Sequence, residues 1–141
     1  MTADWMMFAL GSALFAGLTA VLAKVGVELI PSNLATFIRT VVILGLVALV
    51  VTVRREWLSP GQLSFRGMVC LALSGVTTGL SWLCYYRALQ SGPASLVSPL
   101  DKLSLVVTVL LAVLVLGERL TMWQWLGASL MAVGALLLGF V

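Results

Sequence analysis

Histidine is absent from this 141-residue chain, and cysteine occurs only at Cys70 and Cys84. Without imidazole and with so few thiols, no transition-metal site is expected, nor any cofactor held by one. The two cysteines are both in one apolar segment, where helical rise would separate them by about 21 Å. A disulfide needs Cα atoms within about 7 Å, so none is expected within the chain. Charge is scarce too, at 9% of residues, where a soluble domain carries roughly a quarter. The opening stretch from Met1 to Gly11 lacks the basic region of a cleavable signal, so the first apolar segment is expected to be retained. No nucleophile elbow and no phosphate-binding glycine loop is present, and no catalytic residue or enzyme activity is expected.

What fills the chain instead is apolar: 62% of residues are hydrophobic, and the mean hydropathy is +1.17. That leaves too little polar surface to cover a fold in water, so the expectation is an all-α integral membrane protein in one transmembrane domain, residues 1–141. A net charge of +3, spread over several loops, gives no footprint for nucleic acid. Five segments reach the roughly 20 residues needed to cross a hydrocarbon core. They run approximately over residues 5–27, 33–53, 66–86, 94–116 and 122–141. Turn chemistry separates them: Pro31-Ser32-Asn33, with Ser32 a plausible N-cap, then Arg54 to Phe65, Ser91-Gly92-Pro93 and Gly117-Glu118-Arg119.

Five spans put the two termini on opposite sides. Arg54, Arg55, Arg66 and Arg119 share the N-terminal side against Lys24 and Arg87 at the other, which favours a cytoplasmic N-terminus. The bias is modest enough to permit dual topology. Trp5, Trp57, Trp123 and Trp125 fall at the same proposed interface, with Trp82 standing apart near the outer end of the third span. Small residues recur at helical spacing at Ala9, Ala13, Ala16 and Ala20, and again at Ala128, Ala132, Ala135 and Gly139. Such stripes let helices approach closely in lipid.

Folding the spans up and down gathers the unusual polar residues at one end. Lys24 and Glu28 close the first span, Arg39 enters the second, Tyr85, Tyr86 and Arg87 close the third, and Asp101 and Lys102 enter the fourth. Arg39 is six residues past Asn33, so about 9 Å below the surface at helical rise. Asp101 is slightly deeper, and Arg39 is expected to pair with it, with Glu28 the alternative partner. A charge at the centre of a lipid-facing helix costs roughly 2.5–3.5 kcal/mol on insertion scales, so such groups face protein or water. Pro99 is the expected helix break: Ser98-Pro99-Leu100-Asp101 reads as N-cap, N1 proline and N3 acid, which would start a helix afresh below the membrane surface. Transporters bind solutes at interrupted helices of this kind. Thr78, Ser81 and Tyr85 add polar groups toward the same end, alongside Ser74 and Thr77.

Each of these residues also has a plainer role. Arg39 and Lys24 can snorkel, Glu28 can solvate a helix end, Asp101 can serve a helix N-terminus, and the hydroxyls can bond between helices. Glu118 and Arg119 are explained by a tight turn.

Four stretches carry a family resemblance. They are Lys24 at the end of the first span, Arg39 within Ala35–Leu44, Tyr85-Tyr86-Arg87-Ala88-Leu89, and Gly117 through Leu138. Together they resemble the EamA repeat of the drug/metabolite transporter superfamily, over nearly the whole chain from about Trp5 to Phe140. Gly117 to Gly134 is the most specific part. The resemblance implies a secondary transporter, commonly an exporter of amino acids, metabolites or drugs. The usual member carries two such repeats, ten helices in inverted orientation around a central cavity. This chain has one repeat, and it has Asp101-Lys102-Leu103-Ser104 where many relatives have a proline-containing apolar stretch.

The expected function is therefore export of a small metabolite, such as an amino acid or related compound, by alternating access in a bacterial inner membrane. The expected assembly is a homodimer, antiparallel favoured, or a pair with a homologous subunit. Asp101 or Glu28 is the candidate proton carrier; Arg39 and Lys102 nearby suit Asp101 better to an orienting counter-ion. Arg39 and Lys102 also favour zwitterionic or anionic solutes. The alternatives are a small multidrug exporter for cationic apolar compounds and a non-transporting subunit or assembly factor.

Overall fold

The computed structural model describes residues 4–140, and Val141, the expected end of the fifth span, lies outside them. Among the described residues the regular structure is helical, with no strand: α1 (Asp4–Leu29), α2 (Ser32–Val53), α3 (Phe65–Ser91), α4 (Ala94–Asp101), α5 (Ser104–Leu116) and α6 (Met122–Phe140), with a single 3₁₀ turn at Pro60–Gln62. α4 and α5 together make one span, so five helical segments are long and apolar enough to cross a membrane. The side chains agree. Phe8, Leu114 and Trp123 are 80%, 78% and 81% exposed, and most other large apolar side chains are exposed as well. In water that surface would aggregate; in lipid it is solvated. The chain is a multi-pass membrane protein.

Helix ends follow local chemistry. Pro31 and Pro93 cannot donate to the preceding helix, so α1 and α3 stop before them, and each proline caps the next helix through its carbonyl. Pro31 accepts the Ala35 N–H at 2.9 Å, and Pro93 accepts the Val97 N–H at 3.1 Å. Ser32, read from sequence as an N-cap, is instead the first helical residue of α2 and is buried. α2 ends in a Schellman pair, Arg55 N–H to Thr52 at 3.1 Å and Glu56 N–H to Val51 at 3.0 Å. Arg55 holds the left-handed position there (φ 56°) that glycine usually takes. Gly117 fills the equivalent place after α5 (φ 69°). At the start of α6, the Gln124 Oε1 accepts the Thr121 N–H at 2.8 Å, half of a capping box.

The chain divides into two compact units. One combines residues 1–21 with 91–141, and the other is residues 22–90. In the first, α4 and α5 pack on α6. The α6 stripe of small residues is the contact face: Ala128 and Ala135 are buried, and Gly139 admits the Leu100 side chain so closely that a methyl there would overlap it. The matching stripe on α1 is only partly used. Ala9, Ala13 and Ala16 are exposed, and burial begins at Ala20 and continues through Ala23 and Val27.

Two substitutions on α6 should therefore have opposite signs. Gly134 has open space around its missing Cβ. Gly134→Ala should stabilise by roughly 0.5–1 kcal/mol from helix propensity. Gly139→Ala must displace Leu100 and should destabilise, by about 1–3 kcal/mol. Thermal midpoints of the purified protein in detergent test this; equal increases for both would contradict the α4–α6 packing.

Candidate functional site

The polar residues singled out from sequence form two clusters, one in each unit. In residues 22–90 the cluster begins with two carbonyls that have lost their donors. Within an α-helix the carbonyl of residue i accepts from the N–H of residue i+4. For Val27 that residue is Pro31, and for Leu89 it is Pro93, neither of which has an N–H. Val27 is 1% exposed and Leu89 is 0% exposed, so water does not replace the missing bonds. Side chains from the opposite helix do. Lys24 of α1 donates from Nζ to the Leu89 carbonyl at 2.9 Å, and Gln90 of α3 donates from Nε2 to the Val27 carbonyl at 3.3 Å.

The exchange is reciprocal, with each helix capping the other's C-terminus. The Lys24 charge also suits the negative end of the α3 dipole. Glu28 completes the arrangement, its Oε1 3.5 Å from Lys24 Nζ one turn along α1.

Arg39 is held differently. Its guanidinium carbon is 4.4 Å from the centre of the Trp82 ring and 5.6 Å from that of Tyr86, and one terminal nitrogen donates to the Tyr86 hydroxyl at 3.3 Å. Trp82 and Tyr86 are one helical turn apart on α3 and present one face to α2. Tyr85 packs edge-on against Tyr86, with ring centres 6.1 Å apart. Tyr86 is buried, and Arg39 and Trp82 are half-buried. The Glu28 alternative for Arg39 is replaced: Arg39 sits on aromatic rings and Glu28 meets Lys24, while Asp101, in the other unit, meets its neighbour Lys102. Thr36 and Thr40 turn their hydroxyls back to carbonyls of α2, and Thr77 does the same on α3. Thr78 and Ser81 are exposed on α3.

In the other unit, Asp101 Oδ2 is 3.6 Å from Lys102 Nζ. They lie where the fourth span changes pitch. The break expected at Pro99 falls later: the helix starts at Ala94, runs through Pro99 and ends at Asp101, so Asp101 is in a last turn and not a first. Nor does the backbone open. The N–H groups of Lys102, Leu103, Leu105 and Val106 each reach back three residues, at 3.0, 3.0, 2.9 and 3.0 Å, so the ladder tightens to 3₁₀ geometry at these positions. A groove of about 380 Å³ runs beside it, with Ser98, Pro99 and Lys102 on one side and Met131, Gly134 and Leu138 on the other.

Sequence reasoning missed Trp82 and Gln90. Trp82 is four residues before Tyr86, a helical pair on the face that meets Arg39. Gln90 was findable from the prolines, which mark the carbonyls in need of donors.

A helical membrane protein with ionisable groups partnered inside its spans, one pair at a change of helix pitch, fits the class of membrane transport proteins. The chain belongs to the EamA-like transporter family, whose model matches residues 4–140. It is 52% identical to an "Uncharacterized transporter in cobO 3'region" from a Sinorhizobium species over 138 residues, 98% of each chain. Over 70 residues, half of this chain and 61% of the relative, it is 36% identical to the "Probable 4-amino-4-deoxy-L-arabinose-phosphoundecaprenol flippase subunit ArnE" of Yersinia pestis. No solved structure matches.

Reciprocal capping makes a crossed prediction. Lys24→Met keeps the apolar stem but should speed amide exchange at the end of α3, while Gln90→Leu should speed it at the end of α1. Each should cost about 1–3 kcal/mol of stability, because a buried carbonyl is left unpaired. Hydrogen exchange by mass spectrometry reads both ends, and loosening confined to the mutated helix would rule out the exchange.

Proposed function

We propose that this chain is one half of a secondary transporter for a small metabolite, which it exports by alternating access. The observation that carries this reading is the Asp101–Lys102 pair at the 3₁₀ turn of the fourth span, beside an open groove. A mid-helix 3₁₀ segment is a natural hinge, and charges within a span line solute or ion paths far more often than they face lipid. Family membership supports transport in general. The solute, the direction and the coupling ion belong to this proposal alone, as does a bacterial plasma membrane with the N-terminus in the cytoplasm.

One five-helix repeat supplies half of the inverted pair from which transporters of this kind are built. A second copy inserted in the opposite sense completes the pathway, or a homologous subunit does. The Sinorhizobium relative supports the first form, since a transporter of matching extent aligns with this chain from end to end. The ArnE match supports the second, because that protein is named as a subunit. A multidrug exporter for cationic compounds fits less well. Glu28 and Asp101, the carboxylates that would attract a cation, already face Lys24 and Lys102.

Asp101→Asn should reduce solute flux in proteoliposomes at least tenfold while leaving the protein folded in the membrane. Unchanged flux would remove Asp101 from the mechanism. A compartment-sensitive reporter fused after Val141 separates the two assemblies. Activity on both sides of the membrane is the result expected for an antiparallel homodimer, and activity on the outer side alone would transfer the role to a paired subunit.

A further inference from the structure

We infer that Arg39, set on Trp82 and Tyr86, is a recognition site for an oxyanion, a phosphate or carboxylate group on the transported solute. The inference rests on the transporter reading and names the solute's chemistry at a site within residues 22–90.

Charge balance is the first support. Among the described residues of this unit the carboxylates are Glu28 and Glu56, and each meets another cation: Glu28 meets Lys24 at 3.5 Å, and Glu56 meets Arg54 at 4.0 Å. Arg39 has no carboxylate of its own unit within ion-pair distance. Its partners are two ring faces and one phenol, which stabilise a cation without cancelling its charge. A guanidinium inside a membrane span carries a cost that a counter-charge would lift, and within this unit it is given position without neutralisation.

Geometry is the second. The guanidinium carbon lies over the Trp82 ring, and the Tyr86 hydroxyl takes one hydrogen bond from a terminal nitrogen. Arginine has five N–H donors in one plane, and Tyr86 engages one terminal nitrogen, which leaves other donors in the same rigid fork. That is the geometry for bidentate binding of two oxygens on one anionic group. Arg39 is half-buried, so its side chain is not sealed off. The aromatic pair therefore acts as a positioning surface: it fixes the plane in which Arg39 meets the anion. Lysine could supply the charge there but not the fork.

The anion comes either from water or from a lipid-like solute, and the probes separate these sources. The full-length protein in discs of zwitterionic lipid is titrated with inorganic phosphate, with octyl phosphate and with octanol, following the thermal midpoint. Octyl phosphate should raise the midpoint and octanol should not. A shift with inorganic phosphate as well identifies a soluble anion, and a shift with octyl phosphate alone identifies a lipid-like one. Arg39→Gln should weaken the apparent affinity roughly 10- to 100-fold, the range for losing charge-assisted hydrogen bonds. Arg39→Lys should restore only part of it, and Trp82→Leu, which retains the arginine, should weaken it less than Arg39→Gln. If Arg39→Gln does not fold, Trp82→Leu and Tyr86→Phe carry the test. Equal affinity in all folded variants, or no phosphate-dependent shift in the native protein, would overturn the assignment. Solute flux that persists without any anion response leaves the transporter reading standing and removes this site. Arg39-dependent phosphate binding without flux does the reverse.

Discussion

A carbonyl that loses its helical donor inside a membrane must find another, because the surrounding lipid offers none. Pro31 and Pro93 each impose that demand, at Val27 and Leu89, where the residues are sealed from solvent. Lys24 and Gln90 meet it from the facing helix. The turn prolines therefore do more than end two helices. They create the two acceptors through which the ends of α1 and α3 are tied, and they determine which side chains are occupied there. Lys24, a candidate for solute contact by sequence, is engaged in this tie. Arg39, within the second span, has no carboxylate of its unit within ion-pair distance.

Seen this way, the charged residues have separate duties. Lys24, Glu28 and Gln90 keep two helix ends together. Arg39 is held over Trp82 and hydrogen-bonded to Tyr86. Asp101 and Lys102 mark a tightened turn in the fourth span, where a small change of pitch would move a long lever of helix. In the transport cycle proposed above these would serve as a fixed end, a presented charge and a hinge, and the exposed apolar surface is available to lipid.

Much of the fold was legible from the residues alone. Hydropathy and turn residues gave five spans whose limits match the helices to within a few residues, apart from α3, which runs a further turn through Arg87 to Ser91. The small-residue stripe on α6 was read correctly because in lipid a contact face is written in residue size. The α1 stripe was not, since Ala9, Ala13 and Ala16 have the same spacing and lie exposed. Pairing was the weaker part. Matching charges offered Arg39 a carboxylate in Glu28, whereas aromatic faces proved to be the partners of Arg39 and a backbone carbonyl one of Lys24, and these carry no formal charge for a sequence reading to count. Pro99 misled for a related reason: its chemistry suits the first turn of a helix, yet the helix had already begun at Ala94, and 3₁₀ bonds begin three residues later.

The central claim is that one chain is half of a pathway. Native mass spectrometry of the transport-competent protein released from lipid counts the repeats directly. A pathway built from two halves predicts particles holding two five-helix repeats, either two copies of this chain or one copy with a homologous subunit, and flux that disappears when they are dissociated. Solute flux from particles containing a single copy would contradict it.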